Sequence, residues 1–212
     1  GFGIPQLVWA YESHTDMMAR ELKVDPLEFR RKNLLRDGRP QATGTVMKDA
    51  AIEQALERTA ARMNWEKPLD RGSGTIRRGR GIAIGFKAVV APTTSVAIVN
   101  LYADGSCALY CSTVDMGQGS DTAMAQIVAE VLGIPIESIT VVHPDTDVTP
   151  YDMATLGSRS TFHMGHAVRL AAEEARDKLL ALARETGLSV ETTPIRDVFR
   201  KRFGMQAGNI VG

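Results

Sequence analysis

Net charge is the first thing this sequence lacks: its 25 Lys and Arg are matched by 25 Asp and Glu. Without a surplus of positive charge there is no field to draw in a phosphate backbone, which argues against general nucleic-acid binding. The longest basic run, Arg77-Arg78-Gly79-Arg80, closes a polar stretch that reads as a solvated linker over residues 71–80. Long apolar runs are missing as well. None approaches the roughly 20 residues of a membrane-spanning helix, so no membrane association is expected, and no secretory signal is recognisable. An initiator Met is also absent: the chain opens on Gly1-Phe2-Gly3 and stops at Asn209-Ile210-Val211-Gly212, which reads as the start of a strand. The sequence is therefore expected to be a piece of a longer polypeptide, truncated at both ends.

Cysteine is scarce, with Cys107 and Cys111 the only two. They fall on one face of the strand-like run SCALYCSTV. At about 3.3 Å per residue they lie roughly 13 Å apart, beyond the ~7 Å limit for the Cα atoms of a disulfide. Buried, reduced thiols beside Leu109 are the expectation, in keeping with a reducing, cytoplasmic compartment.

What is present is ordinary globular material, 44% hydrophobic, enough for one domain or two small ones. Residues 1–70 read as a helical segment. Leu7, Ala10, Tyr11, His14, Met18 and Leu22 recur at helical spacing, which makes them a candidate buried stripe and His14 a core histidine. Asp25-Pro26 is an N-cap followed by a first-turn proline, opening a helix over 26–35. A third helix is predicted over 47–65, with Ile52, Ala55, Leu56, Thr59, Ala60 and Met63 facing inward. From residue 81 to 212 the pattern changes. A strand is predicted over 81–91, then a hairpin over 95–114 turned at Ala103-Asp104-Gly105-Ser106. Helices follow at 120–132, 163–186 and 194–203, with a strand at 138–143 after the first. The order predicts an α+β fold: N-terminal helices, then a mixed sheet with helices packed on it.

Two loops could hold an anion. DMGQGSDTA sets Gly117 and Gly119 on either side of Gln118, so backbone can approach a ligand, and Ser120 or Asp121 can cap the helix behind. A helix N-terminus presents free N–H groups and the positive end of the dipole, which suits phosphate. A plain capped helix accounts for the same residues, and the pattern is neither the dinucleotide nor the Walker motif. The second loop, DTDVTPYDMATLGSRSTFHMGHAV, gathers the hydroxyls of Thr155, Ser158, Ser160 and Thr161 around Gly157. Arg159 adds a fixed positive charge, and a helix follows directly. A polar loop without a ligand is the competing reading. His163 and His166 share a side without a third ligand, and Asp145, Asp147 and Asp152 lack calcium-loop spacing, so no metal site is assigned. There is no GxSxG nucleophile elbow.

In this order and spacing the loops resemble those of the molybdenum hydroxylases, the family of xanthine dehydrogenase, aldehyde oxidase and the large subunit of carbon monoxide dehydrogenase. Three islands carry the resemblance across nearly the whole chain: GFGIPQ with EFRRKNLL, LYADGS with MGQGSDT, and YDMATLGSRST with GHAV. The resemblance implies that Gly117, Gln118, Gly119 and Ser120 contact the molybdopterin, its phosphates or the metal's oxygen ligands. It implies that Thr155, Gly157, Ser158, Arg159, Ser160 and Thr161 bind the pterin and the pyrophosphate of its cytosine dinucleotide form. Phe2 falls where family members pack a ring on an aromatic substrate, and the backbone at Gly3 would border the metal's oxygen ligand.

The same resemblance implies a parent enzyme that oxidises a carbon next to nitrogen or oxygen in a small-molecule substrate, with water as the oxygen source and the cofactor carrying the redox chemistry. FAD and 2Fe–2S clusters are expected on partner subunits or domains, in a dimer of heterotrimers, since the chain has no cysteine-rich cluster motif. No catalytic residue is expected here, because the family's glutamate base lies in a segment that would follow Gly212. With half of the cofactor cage and no base, the chain is expected to be inactive alone. Two other readings stand beside this one: an interaction module that keeps the scaffold without binding cofactor, and an unrelated nucleotide-binding domain.

Overall fold

The computed structural model describes residues 3–87, 93–205 and 208–212. Two units are distinguished, Gly1–Lys87 and Ala88–Gly212. The first contains helices α1 (Ile4–Glu21), α2 (Pro26–Asn33) and α3 (Ile52–Arg62). α2 starts as its sequence dictates: Asp25 Oδ1 accepts the backbone N–H groups of Leu27 at 2.9 Å and Glu28 at 3.2 Å. α3 is shorter than the predicted 47–65. Met47 is tied to the preceding turn, accepting from Gly38 N–H at 2.9 Å and donating to Arg39 O at 3.2 Å. Left-handed residues then bound the helix, Asp49 at φ 54° before it and Asn64 at φ 50° after it.

The stripe expected to be buried on α1 faces outward. Leu7, Tyr11, Met18 and Leu22 are exposed, and so is His14. The buried positions of α1 are Glu12 and Ala19 instead. The cause is Arg30 of α2, which is only 3% exposed and needs partners for its guanidinium. Its Nε donates to Glu12 Oε2 at 2.8 Å, and its Nη1 donates to Asp16 Oδ1 at 2.8 Å and Pro26 O at 3.0 Å. Glu12 and Asp16 are one helical turn apart, so meeting one buried cation turns their face inward and the apolar stripe outward. Glu12 Oε2 also accepts the backbone N–H of Ile84 at 2.9 Å.

A small core of Leu27, Leu56, Ala60 and Ile82 lies beneath. Ile82 belongs to the predicted strand 81–91; residues 81–87 are irregular, and 88–91 lie outside the described residues. The stretch read as a linker is anchored at its end: Arg80 donates to Asn64 O at 2.7 Å and sits 4.9 Å over the Trp65 ring.

The second unit contains β1 (Ala97–Tyr102), β2 (Cys107–Cys111), α4 (Ser120–Leu132), β3 (Ile139–Val142), α5 (Gly165–Thr186), α6 (Ile195–Phe203) and β4 (Asn209–Val211). The sheet order is β3-β2-β1-β4. β1 is antiparallel to both β2 and β4, while β2 and β3 are parallel. Asp104 forms the hairpin turn by accepting from Ser106 N–H at 2.9 Å and Ser106 Oγ–H at 2.6 Å. Alternation puts Val99 and Leu101 with Cys107, Leu109 and Cys111 into one core that includes Met124 and Val128 of α4 and Val168, Ala172, Ala175 and Leu179 of α5. The fold is thus the predicted α+β arrangement, with a mixed sheet. No described helix is long and apolar enough to cross a membrane.

Both cysteines are buried and free. Burial pushes the Cys107 thiol up to about 12 and raises that of Cys111 as well. Neither thiol should therefore react with iodoacetamide in the native protein near neutral pH, and both should react in denaturant, as read by mass spectrometry; fast native labelling would contradict the burial. Glu12→Ala leaves Arg30 with Asp16 as its one carboxylate partner. It should cost about 3 kcal/mol in urea denaturation followed at the tryptophans, both of which lie in the first unit.

Candidate functional site

Both candidate loops leave the carboxyl ends of neighbouring strands. β2 continues into residues 112–119 and then α4, and β3 continues into residues 143–159 and then α5. Because β2 and β3 are adjacent and parallel, the loops emerge at the same edge of the sheet, the position at which open α/β sheets bind ligands. They are also bonded to each other. Val114 N–H donates to Thr155 Oγ1 at 2.7 Å, and the Ser112 hydroxyl donates to Pro150 O and lies 2.8 Å from Thr149 Oγ1.

The first loop differs in one respect from the expected open helix terminus. Gly117 at φ 95° and Gly119 at φ 77° turn the chain through conformations that a side chain resists. A Cβ at either would meet nothing within 4 Å, so the space above the turn is open. The helix N-terminus itself already holds an anion. Asp115 Oδ1 accepts Gly117 N–H at 2.7 Å, and its Oδ2 accepts Asp121 N–H at 3.3 Å. These backbone donors, Gly117 first and Asp121 next, hold the Asp115 carboxyl below the usual carboxylate range. Gln118 folds back onto its own loop: Oε1 accepts Met116 N–H at 2.6 Å, and Nε2 donates to Val114 O at 2.9 Å and Ser120 Oγ at 3.1 Å. Ser120 is 5% exposed and meets this amide, so it does not cap α4.

The second loop is strained and bears unused hydroxyls. Gly157 at φ 60° and Ser158 at φ 61° are consecutive left-handed residues. For a residue with a Cβ such as Ser158 this costs on the order of 1–3 kcal/mol. A single π-helical turn, Ser160–Met164, follows at once, a device that recurs at functional sites. Ser158 and Thr161 are exposed and Ser160 is half-buried. Among the described residues, no side-chain hydrogen bond occupies these three hydroxyls.

Arg159 does not present its charge outward as the sequence suggested. Its side chain is fully buried, and all three guanidinium nitrogens are occupied. Nε donates to Thr93 Oγ1 at 2.9 Å; Nη1 donates to Asp152 Oδ1 at 2.7 Å, to Asp152 Oδ2 at 2.8 Å and to Ala154 O at 2.8 Å; Nη2 donates to Thr94 O at 2.8 Å and Ser95 Oγ at 2.6 Å. A guanidinium removed from water requires this saturation, and Asp152 provides the compensating charge.

Two buried polar atoms are unpartnered among the described residues, Thr113 Oγ1 and His163 Nε2. Thr113 lies between β2 and the glycine turn, and His163 lies in the π-helical turn, so each loop segment carries one. Such atoms in a folded protein mark positions where an ordered water or a ligand can bond. No local sequence pattern marks the Thr113 hydroxyl for burial, and the sequence around His163 suggests only a metal ligand. Phe2 lies outside the described residues, and Gly3 is the N-cap of α1 at φ 80° in the first unit.

The free hydroxyls of one loop and the open space over two glycines of the other fit a phosphate-bearing ligand, which the Gln118 amide would meet only by giving up its internal hydrogen bonds. Because its folded pKa is lowered, the Asp115 cap is complete above the ordinary carboxylate pKa of about 3.9 and is lost as pH falls through the depressed value. Asp115→Ala should speed amide exchange at Gly117 and Asp121 at neutral pH. In the parent sequence the same amide resonances should begin to shift only below pH ~4; a transition near neutrality would contradict the cap.

Family models described as molybdopterin cofactor-binding domain match residues 47–207 and 1–34. The xanthine dehydrogenase molybdenum-binding subunit of Escherichia coli is 33% identical over 192 residues, covering 86% of this chain and 26% of the relative. Aldehyde oxidoreductase of Megalodesulfovibrio gigas is 32% identical over 180 residues, 82% of this chain and 20% of the relative. The chain therefore spans about a quarter or less of the length of these curated relatives. Among solved structures, the aldehyde oxidoreductase from Desulfovibrio gigas superposes with a TM-score of 0.77 at 27% identity, over 100% of this chain and 23% of that one. CO dehydrogenase from Oligotropha carboxidovorans shares the fold with a TM-score of 0.70 at 18% identity, over 100% of this chain and 32% of that one. By sequence and by fold, the chain belongs to the molybdopterin cofactor-binding domain family of the molybdenum hydroxylases.

Proposed function

We propose that this chain forms one part of a molybdopterin site in the catalytic subunit of a molybdenum-containing hydroxylase or dehydrogenase. The observation that supports this best is the bonding of the glycine turn to the hydroxyl loop at Val114 and Thr155, inside the region matched by the family. The hydroxyls of Ser158, Ser160 and Thr161, with the turn at Gly157, would bind phosphate oxygens. Gly117, Gln118, Gly119 and Ser120 would border the pterin, Gln118 exchanging its internal hydrogen bonds for the ligand's polar edge. Neutral hydroxyl donors suit phosphate oxygens, and the same donors would serve the pyrophosphate of a cytosine dinucleotide form.

When bound, the cofactor would supply the redox chemistry of oxidising a carbon next to nitrogen or oxygen, with water as the oxygen source. The chain's own residues would hold and orient it and exclude water. Phe2 and the backbone at Gly3 would border the substrate. The catalytic base would come from outside the chain, leaving the chain inactive alone. FAD and 2Fe–2S partner subunits or domains, in a dimer of heterotrimers, complete the proposal. Relatives named as a molybdenum-binding subunit and a nicotine 6-hydroxylase large subunit support a multisubunit parent.

One observation favours a second reading, a scaffold without cofactor: Asp115 and Gln118 satisfy the first loop internally. Metal analysis separates the two. The intact protein carrying this chain, purified from a host that makes the cofactor, should contain molybdenum, pterin and bound phosphate. A Ser160→Ala/Thr161→Ala double variant should lower all three several-fold while the circular dichroism spectrum is unchanged. A folded intact protein devoid of molybdenum would sink the proposal.

A further inference from the structure

Arg159 is the largest fully buried side chain in the described protein, and it directly follows the strained pair Gly157 and Ser158. Its partner Asp152 is 1% exposed at the side chain. We propose that Arg159 and Asp152, braced by Ser95 and Thr93, form a positioning latch that holds residues 157–161 in the conformation that receives the cofactor's phosphate, with neither charge touching it. The inference rests on the reading of these loops as a molybdopterin site.

The geometry is that of a closed ring. Arg159 reaches back to Asp152 and Ala154, so the chain from 152 to 159 closes on itself around the left-handed turn. The ring is fastened to residues 93–95. Ser95 Oγ donates to Asp152 Oδ1 at 2.7 Å and accepts from Arg159 Nη2 at 2.6 Å, while Ser95 and Asp152 also form an antiparallel bridge. On the other side, the Arg159 carbonyl accepts His163 N–H at 2.6 Å across the π-helical turn. One residue thus joins the strained turn, the brace and the entry to α5. A buried pair of this kind contributes little net stability compared with apolar packing, but breaking it is costly, so it favours one conformation over alternatives. The planar guanidinium matters, because the point charge of a lysine cannot meet Thr93, Asp152 and Ser95 at once. With Arg159 neutralised by Asp152, recognition of the anion is left to the hydroxyls of Ser158, Ser160 and Thr161.

The test uses the intact, cofactor-loaded protein with Ser95→Ala, Asp152→Asn and Arg159→Lys. Two quantities are read: amide exchange in residues 157–164 against β1 and β2, and the half-life of molybdenum and pterin retention after dilution. Ser95→Ala leaves the ion pair and should still fold. It should raise exchange in 157–164 and shorten retention by roughly tenfold or more, through the loss of two charge-assisted hydrogen bonds, with β1 and β2 unchanged. Asp152→Asn and Arg159→Lys should each do more. If Arg159 instead bound the phosphate directly, Asp152→Asn would free its charge and retention would hold or lengthen; that result overturns the latch. Unchanged exchange at 157–164 in Ser95→Ala overturns it as well. A parent protein that carries no cofactor would refute the molybdopterin reading, whereas loaded protein with normal retention in all three variants would refute the latch alone.

Discussion

The parallel pairing of β2 with β3 is the constraint on which the second unit depends. Parallel neighbours cannot be joined by a tight turn, so a crossover is required, and α4 supplies it. The crossover puts the glycine turn at the carboxyl end of β2 and the hydroxyl loop at the carboxyl end of β3, side by side. The backbone bond from Val114 to Thr155 and the Ser112–Thr149 contact follow from that neighbourhood. β1 and β4 complete the sheet on the other side of β2, and the residues entering β1 reach the hydroxyl loop through the Ser95–Asp152 bridge.

In both units a buried arginine then decides what faces where. Arg30 turns α1 so that Glu12 and Asp16 look inward and Leu7, Tyr11 and Met18 look outward. Arg159 draws residues 93–95 and Asp152 around itself. The physical rule is the same in each case. A guanidinium taken out of water must have all its donors met and its charge balanced, and that demand outweighs the preference of a few apolar side chains for burial.

The loops also divide their chemistry. Asp115 places a carboxylate on the α4 N-terminus, so that end of the helix is self-satisfied and repels a second anion. The second loop keeps its charge inside and its hydroxyls outside. An anionic ligand is therefore better accommodated at Ser158, Ser160 and Thr161 than at the helix terminus, while the first loop has two glycines with open space above them.

Much of this was legible in the sequence wherever the signal was local. The Asp25-Pro26 cap, the Asp104-Gly105-Ser106 turn, the helix at 120–132 and the strand start at Asn209 all formed as read, since each depends on residues a few positions apart. Joint motifs likewise sufficed for the α+β fold and the family. What the tertiary structure alone decided was the exposure of His14, the course of residues 81–87, the occupant of the α4 N-terminus and the task of Arg159. Arg30 finds its carboxylate 18 residues away and Arg159 finds its brace 66 residues away. Periodicity and residue type carry no record of such distant partners, because the free energy of burying a charge is set by what the folded chain places around it.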